Sequence, residues 1–310
     1  MKKNNSNKNS PLISVIVPTY NRAHTILRCI HSVQQQTYEH WELIVIDNFS
    51  NDDTEGIIQK LCDKRIRFYK VHNEGCVALS RNLGIKKSTG SYIAFLDSDD
   101  WWTPKKLEHA TETLKSGAQI TYHDFFLFSE NAPLQLFRRK VKTRELREPV
   151  FDDLFLKGNA LINSGVVVDK KVFDDIGYLS TDFSLIAAED YDFWLRAALA
   201  NVTFIRIPIP LGFYSLGENN LSSLELSNRS ALFLLRKYKS SLKKIGGRIP
   251  AWMAMVFLQK SLHGSLYKRS ITLIFLIIFY HREWRFIWRS AYLVLNVVKT
   301  KIFWTPSHVK

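Results

Sequence analysis

The chain contains the stretch Tyr92-Ile93-Ala94-Phe95-Leu96-Asp97-Ser98-Asp99-Asp100, in which an apolar run leads straight into three carboxylates. The apolar part is short and follows Ser88-Thr89-Gly90-Ser91, which predicts a fully buried strand. In an open α/β sheet, ligands bind at the carboxyl ends of the strands, and this acidic cluster would lie at such an end. Asp97 and Asp99 are two residues apart and can face one crevice. Their hard carboxylate oxygens suit Mg²⁺ or Mn²⁺.

A helix start is a second interpretation of the same cluster. Thr103 would cap the helix, Pro104 would stand at its first position, and acidic side chains favour that end of a helix. One Asp would be enough for this purpose, but D-x-D is also a common triplet that does not establish a metal site by itself. The stretch alone therefore leaves both interpretations open.

The rest of the chain alternates between strand and helix patterns. Before the acidic cluster, strands are predicted at 12–17, 41–46 and 66–71, and helices at 22–36, 52–61 and 77–87. After it, strands are predicted at 119–122, 162–168 and 202–207, and helices at 105–115 and 189–200. This order predicts an α/β fold with a mixed, mainly parallel sheet of Rossmann-like type and helices on both faces. G-x-G-x-x-G is absent after the first strand and the P-loop pattern is absent throughout, which argues against those two nucleotide sites.

The positive charge of the chain is concentrated at its carboxyl end. The net charge is +14, and residues 229–310 hold sixteen Lys and Arg against one acidic residue, so the preceding residues are nearly neutral. This shift marks a boundary near residue 229. Residues 1–10 are polar with no apolar run, which predicts a disordered lead-in and not a signal peptide. The three cysteines show no paired or metal spacing, which favours a reducing compartment.

The segment 229–310 is predicted to be a helical appendage that contacts a membrane. The apolar run 271–280 is shorter than the roughly 20 residues that a spanning helix needs. Aromatic residues interleaved with arginines follow it, and this pattern suits a helix lying on an anionic membrane surface. A helical hairpin packed on the preceding domain is the alternative. The basic loop 136–147 could also meet an anionic partner, although a solvated face explains it as well. Nucleic acid is not expected as a partner, because no recognition motif accompanies the charge.

Several polar sets follow strands or begin helices, and together they resemble a known family. The sets are Pro18-Thr19-Tyr20-Asn21-Arg22, Asp47-Asn48, Ala78-Leu79-Ser80-Arg81-Asn82-Leu83-Gly84, Asp97-Ser98-Asp99-Asp100 and Ala188-Glu189-Asp190-Tyr191-Asp192. In this order they resemble the family 2 glycosyltransferases, which have the GT-A fold. The resemblance covers residues 11–222 and not the tail. It implies a catalytic domain at 11–228, with a nucleotide-binding half at 11–100 and an acceptor-binding half at 101–228.

The resemblance implies roles for the residues of the first half. Asp47 would accept a hydrogen bond from the uracil imide, although it could instead cap the loop that follows. Arg81 would approach the nucleotide or the diphosphate, or else form a surface pair. Asp97 would contact the ribose or the metal, and Asp99 would hold Mn²⁺ or Mg²⁺ on the diphosphate. The implied nucleotide-sugar-binding residues are Pro18, Thr19, Tyr20, Asn21, Arg22, Asp47, Asn48, Arg81, Asp97 and Ser98.

The resemblance also implies the residues that act on the sugars. Asp190 would be the general base for the acceptor hydroxyl. Glu189 is its rival and would otherwise contact sugar hydroxyls, and a capping role for the pair is the alternative. Trp101 and Trp102 could stack on a sugar, with core packing expected for one of them. Many family members carry a late His, but residues 213–222 of this chain have none, which leaves one metal or diphosphate contact open.

The activity implied by the resemblance is an inverting, metal-dependent transfer of a hexose or N-acetylhexosamine. The donor would be a UDP-sugar and the acceptor a saccharide on a lipid carrier, in lipopolysaccharide or related surface polysaccharide synthesis. The protein would be cytoplasmic and peripheral on the inner face of the cytoplasmic membrane. A non-catalytic nucleotide-sugar-binding protein, or a membrane-tethered interaction protein, is the alternative.

Overall fold

The computed structural model describes residues 10–129, 139–216, 223–247 and 249–263 of the 310-residue chain. The described residues divide between two compact units, those within 1–151 and 159–220 forming the first and those within 152–158 and 221–310 forming the second. Of the predicted lead-in, residues 1–9 lie outside the described residues. The domain boundaries at residues 100 and 228 stay predictions.

One mixed sheet organises the first unit. Its strands are β1 (Ile13–Thr19), β2 (Trp41–Asp47), β3 (Ile66–Lys70), β4 (Tyr92–Phe95), β5 (Trp101–Trp102), β6 (Ile120–Phe128), β7 (Lys140–Val141), β8 (Val167–Asp169) and β9 (Phe204–Ser215). In the described part of the chain these nine strands have the order β3-β2-β1-β4-β8-β6-β9-β5, with β7 paired to β6. The β1–β2, β2–β3, β1–β4 and β6–β9 pairs are parallel, and the others are antiparallel.

Helices cover both faces of the central strands, which confirms the predicted α/β class. The helices of this unit are α1 (Ile26–Gln34), α2 (Thr54–Gln59), α3 (Val77–Lys87), α4 (Lys106–Lys115), α6 (Lys171–Ile176) and α7 (Glu189–Leu199). Val15 and Val17 of β1 share a core cluster with Ile30 of α1 and Leu107 of α4. The opposite face of β1 meets α3, where a Cβ added at Gly84 would lie 2.5 Å from Ile16 Cγ2. Strands β1 and β2 are buried along their whole length and are apolar except for a few positions, among which Ser14 donates to Glu42 at 2.7 Å.

The later strands differ from their predicted extents. Strand β9 is twelve residues long and includes Pro208 and Pro210, which interrupt the strand pattern in the sequence. Its pairing with β6 shifts register there, where the partner of His123 is Ile207 and that of Asp124 is Pro210. Prolines are tolerated at such irregularities because no ladder hydrogen bond is needed from them. The strand predicted at 162–168 is wrong in its first half, since Asn163–Gly165 forms a 3₁₀ turn before β8.

The second unit is helical in its described part. It contains α8 (Leu224–Lys237), α9 (Lys239–Lys244), α10 (Ala251–His263) and the later residues of α5 (Val150–Lys157). The rings of Phe155 and Tyr238 meet edge to face at 5.9 Å, and Trp252 Nε1 donates to the Phe155 carbonyl at 2.9 Å. No helix in the described ranges is long and apolar enough to cross a membrane. The predicted apolar run at 271–280 and the aromatic and basic segment after it lie outside those ranges, as do residues 136–138 of the basic loop.

Candidate active site

Two loops at the carboxyl ends of β1 and β2 form one wall of the site. Asn21 donates its backbone N–H to Ser50 Oγ at 2.9 Å, and its side-chain oxygen accepts from the Asn51 N–H at 2.8 Å. The backbone N–H of Arg22 donates to Thr54 Oγ1 at 3.0 Å. Asn21 adopts a left-handed conformation with φ of 50°, which Asn tolerates because its short side chain can bond locally. These bonds hold the first loop against the second.

The predicted base pocket lies at the start of these loops. Asp47 is 1% exposed, and its carboxylate accepts from both the N–H and the hydroxyl of Ser50, so the capping interaction is present. Thr19 is paired with Asp47 across the two strands, and its buried hydroxyl has no hydrogen-bond partner among the described residues. A buried polar group without a partner is costly, and a ligand that hydrogen-bonds to Thr19 would remove that cost.

The other predicted residues of the two loops lie next to Thr19 and Asp47 in the chain. Pro18 is buried in β1, whereas Tyr20 is 48% exposed beyond the strand end. Asn48 donates its N–H to the Thr19 carbonyl, and its side-chain oxygen accepts from the Asn73 N–H at 2.9 Å. The orphan hydroxyl of Thr19 and the fixed carboxylate of Asp47 can together bind the polar edge of a planar heterocycle.

The acidic loop after β4 presents two carboxylates that pair with arginines. Asp97 Oδ1 accepts from Arg81 Nη2 at 2.7 Å, and the Asp97 N–H donates to Ser164 Oγ at 3.1 Å. Asp99 Oδ2 lies 3.5 Å from Arg22 Nη2. The side chains of Asp97 and Asp99 are 35% and 26% exposed. Both carboxylates therefore remain accessible to a ligand.

Asp100 has a different role from the two preceding acids. It is 2% exposed, and its Oδ1 accepts from the Ser215 N–H at 2.9 Å, which ties the end of β9 to the acidic loop. Ser98 is also buried, at 6% exposure. The helix-start interpretation is wrong, because β5 follows the acids and α4 begins only at Lys106, without a side-chain cap.

Arg81 joins the acidic loop to the start of α7. Its Nη1 donates to Glu189 Oε1 at 2.6 Å while its Nη2 donates to Asp97. With its amide oxygen facing the guanidinium, Asn163 accepts from Arg81 Nε and Nη2 at 3.2 Å. Burial disfavours the charged guanidinium, but Asp97 and Glu189 outweigh it and raise the pKa of Arg81 above its ordinary value. Of the two alternatives for Arg81, the surface pair does not apply, because the side chain is 7% exposed.

Asp190 stands beside Glu189 in the first turn of α7 and has a perturbed acidity. Burial raises the pKa of the Asp190 carboxyl to about 7, with a further increase from the Glu189 charge that Arg81 partly offsets. Asp190 Oδ1 accepts from the Tyr191 N–H at 2.6 Å. Three residues before Asp190, Ala187 has φ of 66°, an uncommon conformation for a residue with a side chain. A carboxylate with a pKa near 7 is suited to accept a proton at neutral pH.

The charges around these residues fit a divalent cation. Five carboxyl groups face three guanidinium groups, which leaves an excess of two negative charges when all are ionised; they are Asp97, Asp99, Asp100, Glu189 and Asp190 against Arg22, Arg28 and Arg81. Burial, followed by the Asp97 charge, raises the pKa values of Asp99 and Asp100. A cation would relieve this repulsion, and carboxylate oxygens suit Mn²⁺ or Mg²⁺. In the described ranges, no group of three or more His, Cys, Asp or Glu side chains has an arrangement able to hold a metal, so the cation would need ligands from the substrate or the solvent.

The two tryptophans after the acidic loop are largely enclosed. Trp102 is 3% exposed and donates its indole N–H to the Ser164 carbonyl at 2.7 Å. Core packing was predicted for one of the two tryptophans, and Trp102 is that residue. Trp101 lies between the guanidinium of Arg28, 3.9 Å from its ring centroid, and the stacked ring of Phe213 at 4.9 Å. Stacking of Trp101 on a sugar stays a prediction.

Three residues of the site were not found from the sequence. Arg28 donates to the Asp99 carbonyl at 3.2 Å, and Asn163 holds Arg81. Burial and four nearby carboxylates, Asp100 foremost, raise the pKa of Tyr214 to about 12, so its hydroxyl stays protonated and can donate a hydrogen bond. Of these three residues, only Tyr214 could have been found from the sequence, because it lies in residues 213–222, where many family members carry a late His. Residues 217–222 of that segment are outside the described ranges.

Comparison with known proteins identifies the class. The model of glycosyl transferase family 2 matches residues 14–176. The chain is 31% identical to the Escherichia coli UDP-Glc:alpha-D-GlcNAc-diphosphoundecaprenol beta-1,3-glucosyltransferase WfgD over 214 residues. These aligned residues cover 68% of this chain and 80% of WfgD. It is 30% identical over 217 residues to the putative teichuronic acid biosynthesis glycosyltransferase TuaG of Bacillus subtilis (strain 168), covering 69% and 82%. The chain therefore belongs to glycosyl transferase family 2 and is a glycosyltransferase.

Solved structures agree with this assignment at the level of the fold. S. aureus TarS in complex with UDP-GlcNAc has a TM-score of 0.56 at 18% identity, covering 84% of this chain and 88% of that chain. The mannosyltransferase PcManGT from Pyrobaculum calidifontis, in complex with GDP-Man and Mn²⁺, has a TM-score of 0.57 at 16% identity, covering 96% and 88%. The mixed, mainly parallel sheet is the predicted GT-A-like arrangement.

Proposed function

We propose that the protein moves a hexose or N-acetylhexosamine from a UDP-sugar to a saccharide acceptor, with inversion at the anomeric carbon. The observation that carries this proposal is the Arg81 bridge between Asp97 and Glu189. It brings the acids after β4 and the first turn of α7 into one crevice, although they are far apart in the chain. A donor diphosphate and an acceptor hydroxyl can therefore meet there.

The name of one relative supports uracil as the base of the donor nucleotide. WfgD, as its name states, uses UDP-Glc. The two similar solved structures hold UDP-GlcNAc and GDP-Man, so the fold alone does not select the base. In this chain the orphan hydroxyl of Thr19 and the fixed carboxylate of Asp47 would face the imide edge, and Tyr20 would cover the ring. The loop residues Pro18, Asn21, Arg22 and Asn48, together with Asp97 and Ser98, would complete the nucleotide-sugar site.

Asp99 and Asp97 would hold Mn²⁺ or Mg²⁺ through carboxylates that remain partly exposed. When bound, the cation would stabilise the negative charge that develops on the departing diphosphate. Arg22 is the accessible arginine beside these acids and would contact the same diphosphate. Residues 213–222 contain no His, so one contact to the metal or the diphosphate is left open. The hydroxyl of Tyr214 is a hydrogen-bond donor in this segment.

Asp190 would be the general base. As the acceptor oxygen forms its bond to the anomeric carbon, the bond from that carbon to the UDP oxygen breaks, and the acceptor proton passes to Asp190. A single displacement of this kind inverts the carbon. Glu189 is engaged by Arg81, which favours Asp190 over Glu189 as the proton acceptor.

The acceptor is proposed to be a saccharide on a lipid carrier in surface polysaccharide synthesis. The names of WfgD and TuaG include a diphosphoundecaprenol acceptor and teichuronic acid biosynthesis, respectively. Arg229, Arg236, Lys239, Lys243 and Lys244 are exposed in the described helices of the second unit and would meet anionic lipid. We propose on this basis that residues 229–310 hold the protein at the inner face of the cytoplasmic membrane, and that 11–228 form the catalytic domain.

Vesicle flotation tests the membrane contact. The variant Arg236→Glu/Lys239→Glu/Lys243→Glu should float less with vesicles that contain anionic lipid, and the wild-type protein should be released by salt. The matched control is Lys105→Glu/Lys115→Glu/Lys171→Glu, which reverses three exposed charges in the first unit. Equal flotation of the two variants would remove the argument for the tail.

A donor screen tests the reaction. UDP release is measured with Mn²⁺ and several UDP-sugars in the presence of a lipid-linked acceptor, using wild-type protein and Asp190→Asn. An enzyme of this mechanism loses transfer in the variant while it retains UDP binding. A nucleotide-sugar-binding protein without turnover would release no UDP in either form and would bind the donor equally well in both.

A further inference from the structure

We propose that Arg22 is a mobile counter-ion that neutralises Asp99 in the ligand-free enzyme and moves to the donor diphosphate when the cation binds. The inference rests on the proposed nucleotide and cation site. Its consequence is that cation and nucleotide bind cooperatively, because each prepares the site for the other. A free cation alone would have to displace the arginine and would bind weakly.

The contact between Arg22 and Asp99 is of a kind that can be exchanged. Arg22 Nη2 and Asp99 Oδ2 are 3.5 Å apart, and the two side chains are 21% and 26% exposed. Among the described residues Arg22 makes no other ion pair. Its backbone N–H is fixed by Thr54 Oγ1 at 3.0 Å, so the side chain can move while the loop stays in place. Pairs that are accessible to water are weak and therefore easily displaced.

The other arginines at the site are held too firmly to play this part. Arg81 is 7% exposed and shared between Asp97 and Glu189, so its departure would leave Glu189 buried and unpaired. Arg28 packs on the ring of Trp101 and donates to the Asp99 carbonyl at 3.2 Å, not to its carboxylate. Arg22 is therefore the guanidinium that can leave a carboxylate at low cost.

Asp99 and Arg22 would each have a partner of opposite charge both before and after the exchange. Before binding, Arg22 offsets the charge of Asp99. Asp99 would hold the divalent cation, and the released guanidinium of Arg22 would pair with a phosphate oxygen of the nucleotide, for which an arginine is well suited. By linkage, UDP must then strengthen cation binding by the same factor as the cation strengthens UDP binding.

Mn²⁺ binding, measured by electron paramagnetic resonance with and without saturating UDP, tests the exchange. In the wild-type protein UDP should tighten Mn²⁺ binding by about fivefold or more. In Arg22→Gln, Mn²⁺ alone should bind about two- to fivefold more tightly, because the competitor is absent. UDP should bind that variant more weakly in the presence of Mn²⁺, so that the coupling between the two ligands shrinks. Circular dichroism spectra establish that each variant is folded.

Arg28→Gln is the matched control, because it removes a positive charge that acts on Asp99 without removing a partner of its carboxylate. It should change the coupling less than Arg22→Gln does. The inference is overturned if Arg22→Gln binds Mn²⁺ alone no more tightly than wild type, or if both variants reduce the coupling equally. Absence of any Mn²⁺ or UDP binding to the wild-type protein would instead refute the proposed function, and the inference with it.

Discussion

The acidity of Asp190 leads to a measurable dependence of the reaction on pH. Because burial and the Glu189 charge raise the pKa of Asp190 to about 7, a large part of this carboxyl is protonated at neutral pH and cannot accept the acceptor proton. The rate should fall as the pH is lowered through 7, since the charged form is the active one. At pH 6 about one tenth of the carboxyl groups are ionised, so kcat/KM should be about tenfold below its plateau.

The assay is UDP release at saturating acceptor and fixed Mn²⁺ from pH 5.5 to 9, with kcat/KM for the donor as the quantity plotted, because it reports on the free enzyme. Glu189→Gln provides a second test. Removal of the Glu189 charge takes away a contribution that raises the pKa of Asp190, so the acidic limb should move to lower pH. Circular dichroism over the same range excludes unfolding. A wild-type kcat/KM that stays level down to pH 5.5, or an acidic limb that Glu189→Gln does not move, would refute the reasoning.

Three further predictions concern stability and are measured by urea denaturation. Arg81→Met should lower the free energy of unfolding by roughly 3–5 kcal/mol, because it leaves Glu189 buried without its partner, and adding Glu189→Gln should recover part of that loss. Gly84→Ala should cost about 1–3 kcal/mol, because the new Cβ would lie 2.5 Å from Ile16 Cγ2; an unchanged midpoint would contradict this packing. Burial lowers the pKa of Lys106 well below its ordinary value, so the unfolded chain holds a proton there more tightly than the folded chain does. The stability of the wild-type protein relative to Lys106→Met should therefore rise with pH from neutral to about 10, and parallel stability curves would contradict the assignment.

Strands β1, β2 and β4 of the amino-terminal half were predictable because they are central in the sheet and almost wholly buried. Such strands appear as continuous apolar runs, and 41–46 and 92–96 agree with β2 and β4 to within one residue. The later strands lack this signal. Strand β9 contains two prolines, and β5 consists of two tryptophans directly after an acidic loop. Their positions are determined by pairing with distant strands, which a local pattern does not contain.

The sequence predicted which strand and helix ends carry the residues of the candidate site. It did not predict the hydrogen bonds and ion pairs that join these residues. The order of the acids along the chain placed Asp97, Asp99 and Asp190 at such ends. The partner of Arg81, by contrast, is Glu189, which lies 108 residues away. No local pattern distinguishes an arginine that binds phosphate from one that bridges two carboxylates. Arg28 was missed for a related reason, since it lies within a predicted helix and its contact is with the backbone of the acidic loop.

The β3 edge of the sheet bears on how the protein behaves at high concentration. A bare strand edge is a template for pairing with another chain, and long apolar edges lead to aggregation. In β3, Arg67 pairs with Glu42 at 2.6 Å and Lys70 pairs with Glu55 at 2.5 Å, so charged side chains line a strand of only five residues. Charges and shortness of this kind oppose addition of a further strand. Self-association through this edge is therefore disfavoured.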